Sequence, residues 1–285
     1  MRAPYYFVFF GILSLLISAC GKPPEYDQQT TETPRVIKSA DTPIDELMDR
    51  SGANARLVRL PQKILVSADQ QLRKGVVHVD EIRPIILQTF NPGELREVAR
   101  THLQNSLDAE EVEQVLSWLN SDLGKKVAAM EVQGARPEAH NASRDHYSEL
   151  KKNEPRVALV RELDEANKAS VQEVELVLTT QKSMMIALRP ALPEEARITE
   201  AQFAERAEEM RPNMLKRYQQ VVEATNLYNY QALTDDELRA YIAFANSHAG
   251  RNYYRVLAEA IQSAVSYGSG HAGAKVAEFM AKQAS

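Results

Sequence analysis

The chain has 285 residues, 34 basic against 39 acidic side chains for a formal charge of −5, 44% hydrophobic residues and a single cysteine. A mildly acidic balance with no basic stripe argues against a phosphate-backbone partner, so no nucleic acid is expected, and Lys151-Lys152 is too short to count as a patch. With Cys20 alone no intramolecular disulfide can form; stability must come from packed cores, for which the length is ample.

Residues 1–19 carry one cation, Arg2, and then an apolar run from Tyr5 to Ala19 that closes on Ile17-Ser18-Ala19-Cys20. The run is short for a membrane span and ends in small residues, which predicts a cleaved signal segment. Its end resembles the lipobox of bacterial lipoproteins, with Ile17 where leucine is commoner. That resemblance implies cleavage before Cys20 and acylation of its thiol and new amine, which would fix the chain to a membrane. Gly21 after the cysteine resembles the signal for outer-membrane delivery, implying the inner leaflet facing the periplasm. Residues 20–42 are polar and proline-spotted and read as a flexible tether, because they cannot bury enough surface to offset the cost of ordering the chain.

Folding is expected to begin at Thr42-Pro43, a cap followed by proline at the first helical position, with Ile44, Leu47 and Met48 on one face and Ser51-Gly52 as the stop. Leu57, Leu60, Ile64, Ala68 and Leu72 make a second amphipathic helix, kinked or restarted at Pro61 and ended by Gly75. A third helix spans about Val79 to Phe90 and contains Pro84. Asn91-Pro92-Gly93-Glu94 caps a fourth, which turns Leu95, Val98, Ala99, His102 and Leu103 inward.

Asp108 with Glu111 then forms a capping box, followed by Val112, Val115, Leu116 and Leu119 at the spacing of a buried helical face. Asn120 ends that helix, and Ser121 caps a second one with Leu123, Val127 and Met130 inward. The same design returns from Leu233. Thr234 with Glu237 caps, Leu238, Tyr241, Ile242 and Ala245 form the face, Asn246-Ser247 ends it, and Ala249, Tyr253 and Val256 follow. Laid over each other without a gap, the two stretches share Glu111 with Glu237, Asn120-Ser121 with Asn246-Ser247 and Gly124 with Gly250, while Trp118 falls on Phe244. Each is read as an αα-hairpin and the pair as an internal repeat. A glycine so soon after the cap costs helix propensity, so Gly124 and Gly250 are expected to admit another backbone at close range.

The pattern of acid-rich cap, aromatic-x-Asn-Ser and x-x-Gly-basic resembles the bacterial envelope proteins grouped as domain of unknown function 2059. The family usually carries a proline where this chain has Asp122 or His248, and an aromatic pair where it has Trp118-Leu119 or Phe244-Ala245. The resemblance covers Leu107 to Met130 and Leu233 to Leu257 and implies an all-helical, secreted or lipid-anchored protein without assigning catalytic residues.

Between the hairpins, residues 135–154 break the apolar rhythm and read as a linker between a helical half at 43–134 and another at 155–285. Val157, Val160 and Leu163, then Val171, Val174, Leu178, Met185 and Leu188, are helical stripes closed by Pro190 and Pro193. Thr199 with Gln202 caps a long helix with Phe203, Ala207, Met210, Met214, Tyr218 and Val221, bent at Pro212. With no alternating β-branched run, the fold class is all-α, a helical bundle or array built from two similar halves, each containing an αα-hairpin.

Chemistry is harder to find. Gly268, Gly270 and Gly273 spell the dinucleotide fingerprint, but a helix precedes them where a strand is required; a flexible joint before a short tail helix with Val276, Phe279 and Met280 is the better reading. His140, His146, His248 and His271 lack the spacing of a metal site, and paired acids such as Glu110-Glu111, Glu194-Glu195 and Glu208-Glu209 suit solvated helix faces. Ser121 and Ser247 have no glycine elbow around them. No catalytic residue, metal or cofactor is therefore assigned. Tyr218, Tyr228, Tyr230, Tyr241, Phe244, Tyr253, Tyr254 and Tyr267 crowd the second half, either as core or as a groove for a partner helix, peptide or lipid tail. The expected function is binding or scaffolding in the envelope through a protein partner; the alternatives are a helical carrier of an apolar ligand and an enzyme of the cell wall or lipid layer.

Overall fold

The structure is a computed structural model and describes residues 42–72, 79–191, 194 and 197–283. Cys20, the tether and Gly75 lie outside the described residues, as do Pro193 and the side chains of Ala68, Leu72, Leu188 and Met280. The described chain is all-α, with no strand. In order it forms α1 (Pro43–Arg50), α2 (Ala53–Leu72), α3 (Val79–Thr89), α4 (Pro92–Ser106), α5 (Ala109–Asn120), α6 (Asp122–Gly134) and α7 (Pro137–Leu150). There follow α8 (Glu154–Asn167), α9 (Ala169–Leu188), a 3-10 turn (Arg189–Ala191), α10 (Glu200–Asn229), α11 (Asp235–Asn246) and α12 (His248–Gln283). No helix among the described residues is long and apolar enough to cross a membrane.

Helix starts follow the local chemistry. Thr42 accepts from the Asp45 amide and Asn91 from those of Gly93 and Glu94, each satisfying free donors of a first turn. Reciprocal capping boxes form at Asp108/Glu111, Thr199/Gln202 and Thr234/Glu237. Ser51 closes α1, and Gly52 beyond it takes the left-handed φ of 73° that glycine tolerates best. Pro61, Pro84 and Pro212 all lie inside helices that continue past them.

Two expectations change. Residues 135–154 hold α7, which packs on α10, and Tyr147 donates to Glu223 at 2.7 Å across that contact. The helix starts at Pro137 and, among its described side chains, fully buries only Ser143, so it offers no buried apolar stripe to read. The glycine cluster at Gly268 to Gly273 is no joint: it sits within the unbroken α12. A Cβ on Gly268 would lie 2.6 Å from the Phe90 ring, and one on Gly273 would lie 2.5 Å from Ala187 Cβ. The glycines there let α3 and α9 press against α12, and the burial gained outweighs their poor helix propensity. Gly270 has nothing within 4 Å of an added Cβ. Gly270→Ala should therefore raise the urea midpoint, by up to about 1 kcal/mol of stability, while Gly268→Ala lowers it.

Helix α12 is the spine. It runs parallel to α9, with Gln172 donating to the Tyr254 carbonyl at 3.2 Å, Ser183 and Ser266 hydroxyls 2.7 Å apart, and Gly273 beside Ala187. One core gathers Leu47, Leu57, Phe90, Leu95, Leu103, Val115 and other residues of α1 to α5 around Tyr253, Val256 and Ala260 of α12. A second gathers Val160 and Leu163 of α8, Leu227 of α10 and Leu238, Tyr241 and Ala245 of α11 around Val127 of α6. A third joins Val174, Leu178 and Met185 of α9 to Phe203, Ala207 and Met214 of α10. The first two cores do not divide at 135–154: α6 is buried in the second and α12 in the first.

Candidate functional site

In each of the two similar helix pairs, α5–α6 and α11–α12, the chain turns through one residue. Ser121 (φ −66°, ψ 160°) and Ser247 (φ −65°, ψ 164°) hold the same extended conformation between their helices. Ser121 Oγ donates to the Trp118 carbonyl at 2.6 Å and accepts from the Gly124 amide at 3.0 Å; Ser247 repeats both contacts with Phe244 and Gly250 at 2.7 and 3.0 Å. So sharp a corner drives the third residue of the new helix into the last turn of the old one. A Cβ on Gly124 would lie 2.0 Å from the Trp118 carbonyl oxygen, and one on Gly250 the same distance from that of Phe244. The expected close approach is thus to the hairpin's own first helix.

Four of the predicted residues, Glu111, Trp118, Glu237 and Phe244, come together where the two helix pairs meet. The Trp118 and Phe244 rings stack with centroids 4.0 Å apart and planes at 6°. Glu237 caps α11 and also takes Lys126 Nζ at 2.8 Å; the lysine's hydrogen bond, ahead of the Thr234 amide, holds its carboxyl below the usual range. Glu111 caps α5 and accepts from Asn252 at 2.6 Å. Asn120 and Asn246 do not join this contact and stay exposed.

A neighbouring constellation went unforeseen. Glu131 of α6, with a side chain 17% exposed, accepts from Tyr230 Oη at 3.1 Å and Tyr241 Oη at 2.8 Å, and pairs with Arg56 at 2.8 Å. Tyr254 donates to Tyr241 Oη at 3.0 Å, and Arg59 of α2 donates to the Val132 carbonyl at 2.8 Å. The sequence did hold a signal: Glu131 follows Val127 by four residues, placing a carboxylate on the buried stripe of α6. Tyr241 is fully buried, and Tyr230 and Tyr253 nearly so. These three rings are core filling, whereas Tyr218, Tyr228, Phe244, Tyr254 and Tyr267 stay partly exposed.

Burial pushes Tyr230, Tyr241 and Tyr254 well above the ordinary phenol range, and the Glu131 charge adds to it. Burial also pushes Tyr253 up to about 12. The phenols therefore act as fixed donors. Since their folded pKa values are raised, the stability they carry is complete below the unfolded value near 10 and is lost as pH climbs through the folded values. Alkaline unfolding is expected between about pH 10 and 12, with part of the tyrosinate absorbance appearing only on unfolding. Smooth titration of all tyrosines near pH 10 in the folded protein would contradict this.

A shallow groove of about 370 Å³ lies between α7, α8, α10 and α11, lined by Leu150, Arg156, Leu227, Leu233 and Asp235 among others. Arg156 is spent on structure there, binding Asp235 at 2.7 Å and the Tyr230 and Leu233 carbonyls at 2.5 and 2.9 Å. It clamps the turn between α10 and α11. The histidines are dispersed: His146 contacts the Ala142 carbonyl at 2.8 Å, His271 lies against the Tyr267 ring, and His248 is largely exposed. Among the described residues no group of three His, Cys, Asp or Glu side chains is placed to hold a metal ion. No protein-family model, curated protein or solved structure matches the chain.

Proposed function

We propose that the chain is a lipid-anchored protein of the bacterial envelope, fixed through acylated Cys20, whose helical body binds a protein partner in the periplasm. The observation that carries this reading is the segment Ile17-Ser18-Ala19-Cys20, which closes an apolar run on the only cysteine of the chain. The resemblance of the hairpin segments to the envelope family points the same way. Binding is favoured over catalysis because the two mostly buried carboxylates at the hairpin junction are already engaged, Glu131 by two phenols and a guanidinium and Glu111 by its capping amide and Asn252. A general acid or base must instead face the proton it moves.

Cys20→Ser tests the anchor. The variant is expected to leave the membrane fraction and keep its helical circular dichroism, because every described helix lies beyond Thr42, far along the chain from Cys20. Persistence in membranes washed with high salt would overturn the anchor. Turnover of a peptidoglycan or lipid substrate that vanished with one acidic side chain would overturn the binding reading.

A further inference from the structure

The two hairpins meet in a pattern that their sequence similarity alone does not require. In the ungapped alignment Glu237 is the counterpart of Glu111, Asn252 of Lys126 and Phe244 of Trp118. Glu237 takes Lys126 at 2.8 Å, and Glu111 takes Asn252 at 2.6 Å. The glutamate of each first helix thus meets the same position on the opposite second helix, in both directions. Trp118 meets its own counterpart, Phe244, face to face. A contact that recurs when the partners are exchanged, with a self-contact at its centre, is the mark of an isologous interface around a two-fold axis.

The backbone and the cores repeat the exchange. Helix α5 packs on α12 and α11 on α6; α4 packs on α12 and the end of α10 on α6. Val127 of α6 is buried with α8, α10 and α11, while its counterpart Tyr253 of α12 is buried with α1 to α5. Each hairpin sends its second helix to complete the core behind the other hairpin's first helix.

We propose that this face is a self-complementary dimerisation surface contained in one chain: each hairpin is built to receive a second copy of itself, with the second helices exchanged as in a swapped dimer. The copies have diverged around the axis. Tyr241, Tyr253 and Tyr254 stand where the first hairpin has Val115, Val127 and Ala128, and Leu257 stands where it has Glu131. The phenol-carboxylate node therefore exists on one side only.

Reciprocal exchange across the axis in the full chain is the test. Trp118→Phe shrinks the central stack and Phe244→Trp enlarges it, so each alone should lower the urea midpoint, by about 0.5 M. The double variant rebuilds the same stack turned by half a rotation and should recover at least half of the summed loss. Losses that simply add would overturn the proposal. If Phe244→Trp does not fold, the polar pair supplies the reading. Lys126→Asn should lower the midpoint at low salt, and adding Asn252→Lys should restore it, because the new ammonium finds Glu111 where Lys126 found Glu237. The restored midpoint should also fall with added salt as steeply as that of the parent chain. A double variant no more stable than Lys126→Asn would overturn the two-fold relation.

Discussion

Gly250→Ala is expected to destabilise the protein by about 3 kcal/mol, at the upper end of the usual overpacking range, although alanine is the better helix former by about 1 kcal/mol. The added Cβ would meet the Phe244 carbonyl oxygen at 2.0 Å and its carbon at 2.9 Å. Both atoms belong to a backbone fixed by the Ser247 corner, whose amide and hydroxyl donate to that same carbonyl. A side chain could swing aside, but the last turn of α11 cannot move without pulling Tyr241 and Ala245 out of the second core. Gly250→Leu should cost at least as much, and Gly124→Ala should behave alike against Trp118. Urea melts measure both, and raised midpoints would mean that the corner yields freely and the two glycines share no structural role.

How far the sequence foretold this depends on the range of the force involved. Capping boxes act within one turn, and Asp108, Thr199 and Thr234 all start helices where their spacing with Glu111, Gln202 and Glu237 places them. Apolar period identifies a buried face but not its neighbour. Val127 and Tyr253 were legible as inward residues, whereas the exchange that buries each in the opposite core was not, since both arrangements use the same stripe. Helix α7 escaped because its mostly polar sequence offers no run of buried apolar side chains, and Gly268 and Gly273 misled because propensity disfavours them while Phe90 and Ala187, distant in sequence, select them. At the hairpin contact the alignment located Glu111, Trp118, Glu237 and Phe244. It could not locate Glu131, whose value comes from phenols about 100 residues away along the chain, at Tyr230 and Tyr241.

Glu131→Ala should be the most damaging single change at the hairpin junction, costing about 4 kcal/mol, because it leaves two buried phenol donors without an acceptor at about 1–3 kcal/mol each and opens a void beside them. Tyr230 and Tyr241 have no route to water, and Tyr241 is also the acceptor for Tyr254, so the loss reaches a third phenol. Glu131→Gln keeps an oxygen for the phenols but turns the pair with Arg56 into a neutral contact; its cost should be about 1–2 kcal/mol. Arg56→Ala should cost least, at most about 1 kcal/mol, because 43% of the Arg56 side chain is exposed and solvent already screens the pair. The order Glu131→Ala, Glu131→Gln, Arg56→Ala in urea melts near neutral pH thus separates two accounts of the node. If Arg56→Ala proves as costly as Glu131→Ala, the ion pair that ties α2 to α6 carries the node; if the order stands, Glu131 is there to satisfy the tyrosines, and its charge is secondary to its oxygens.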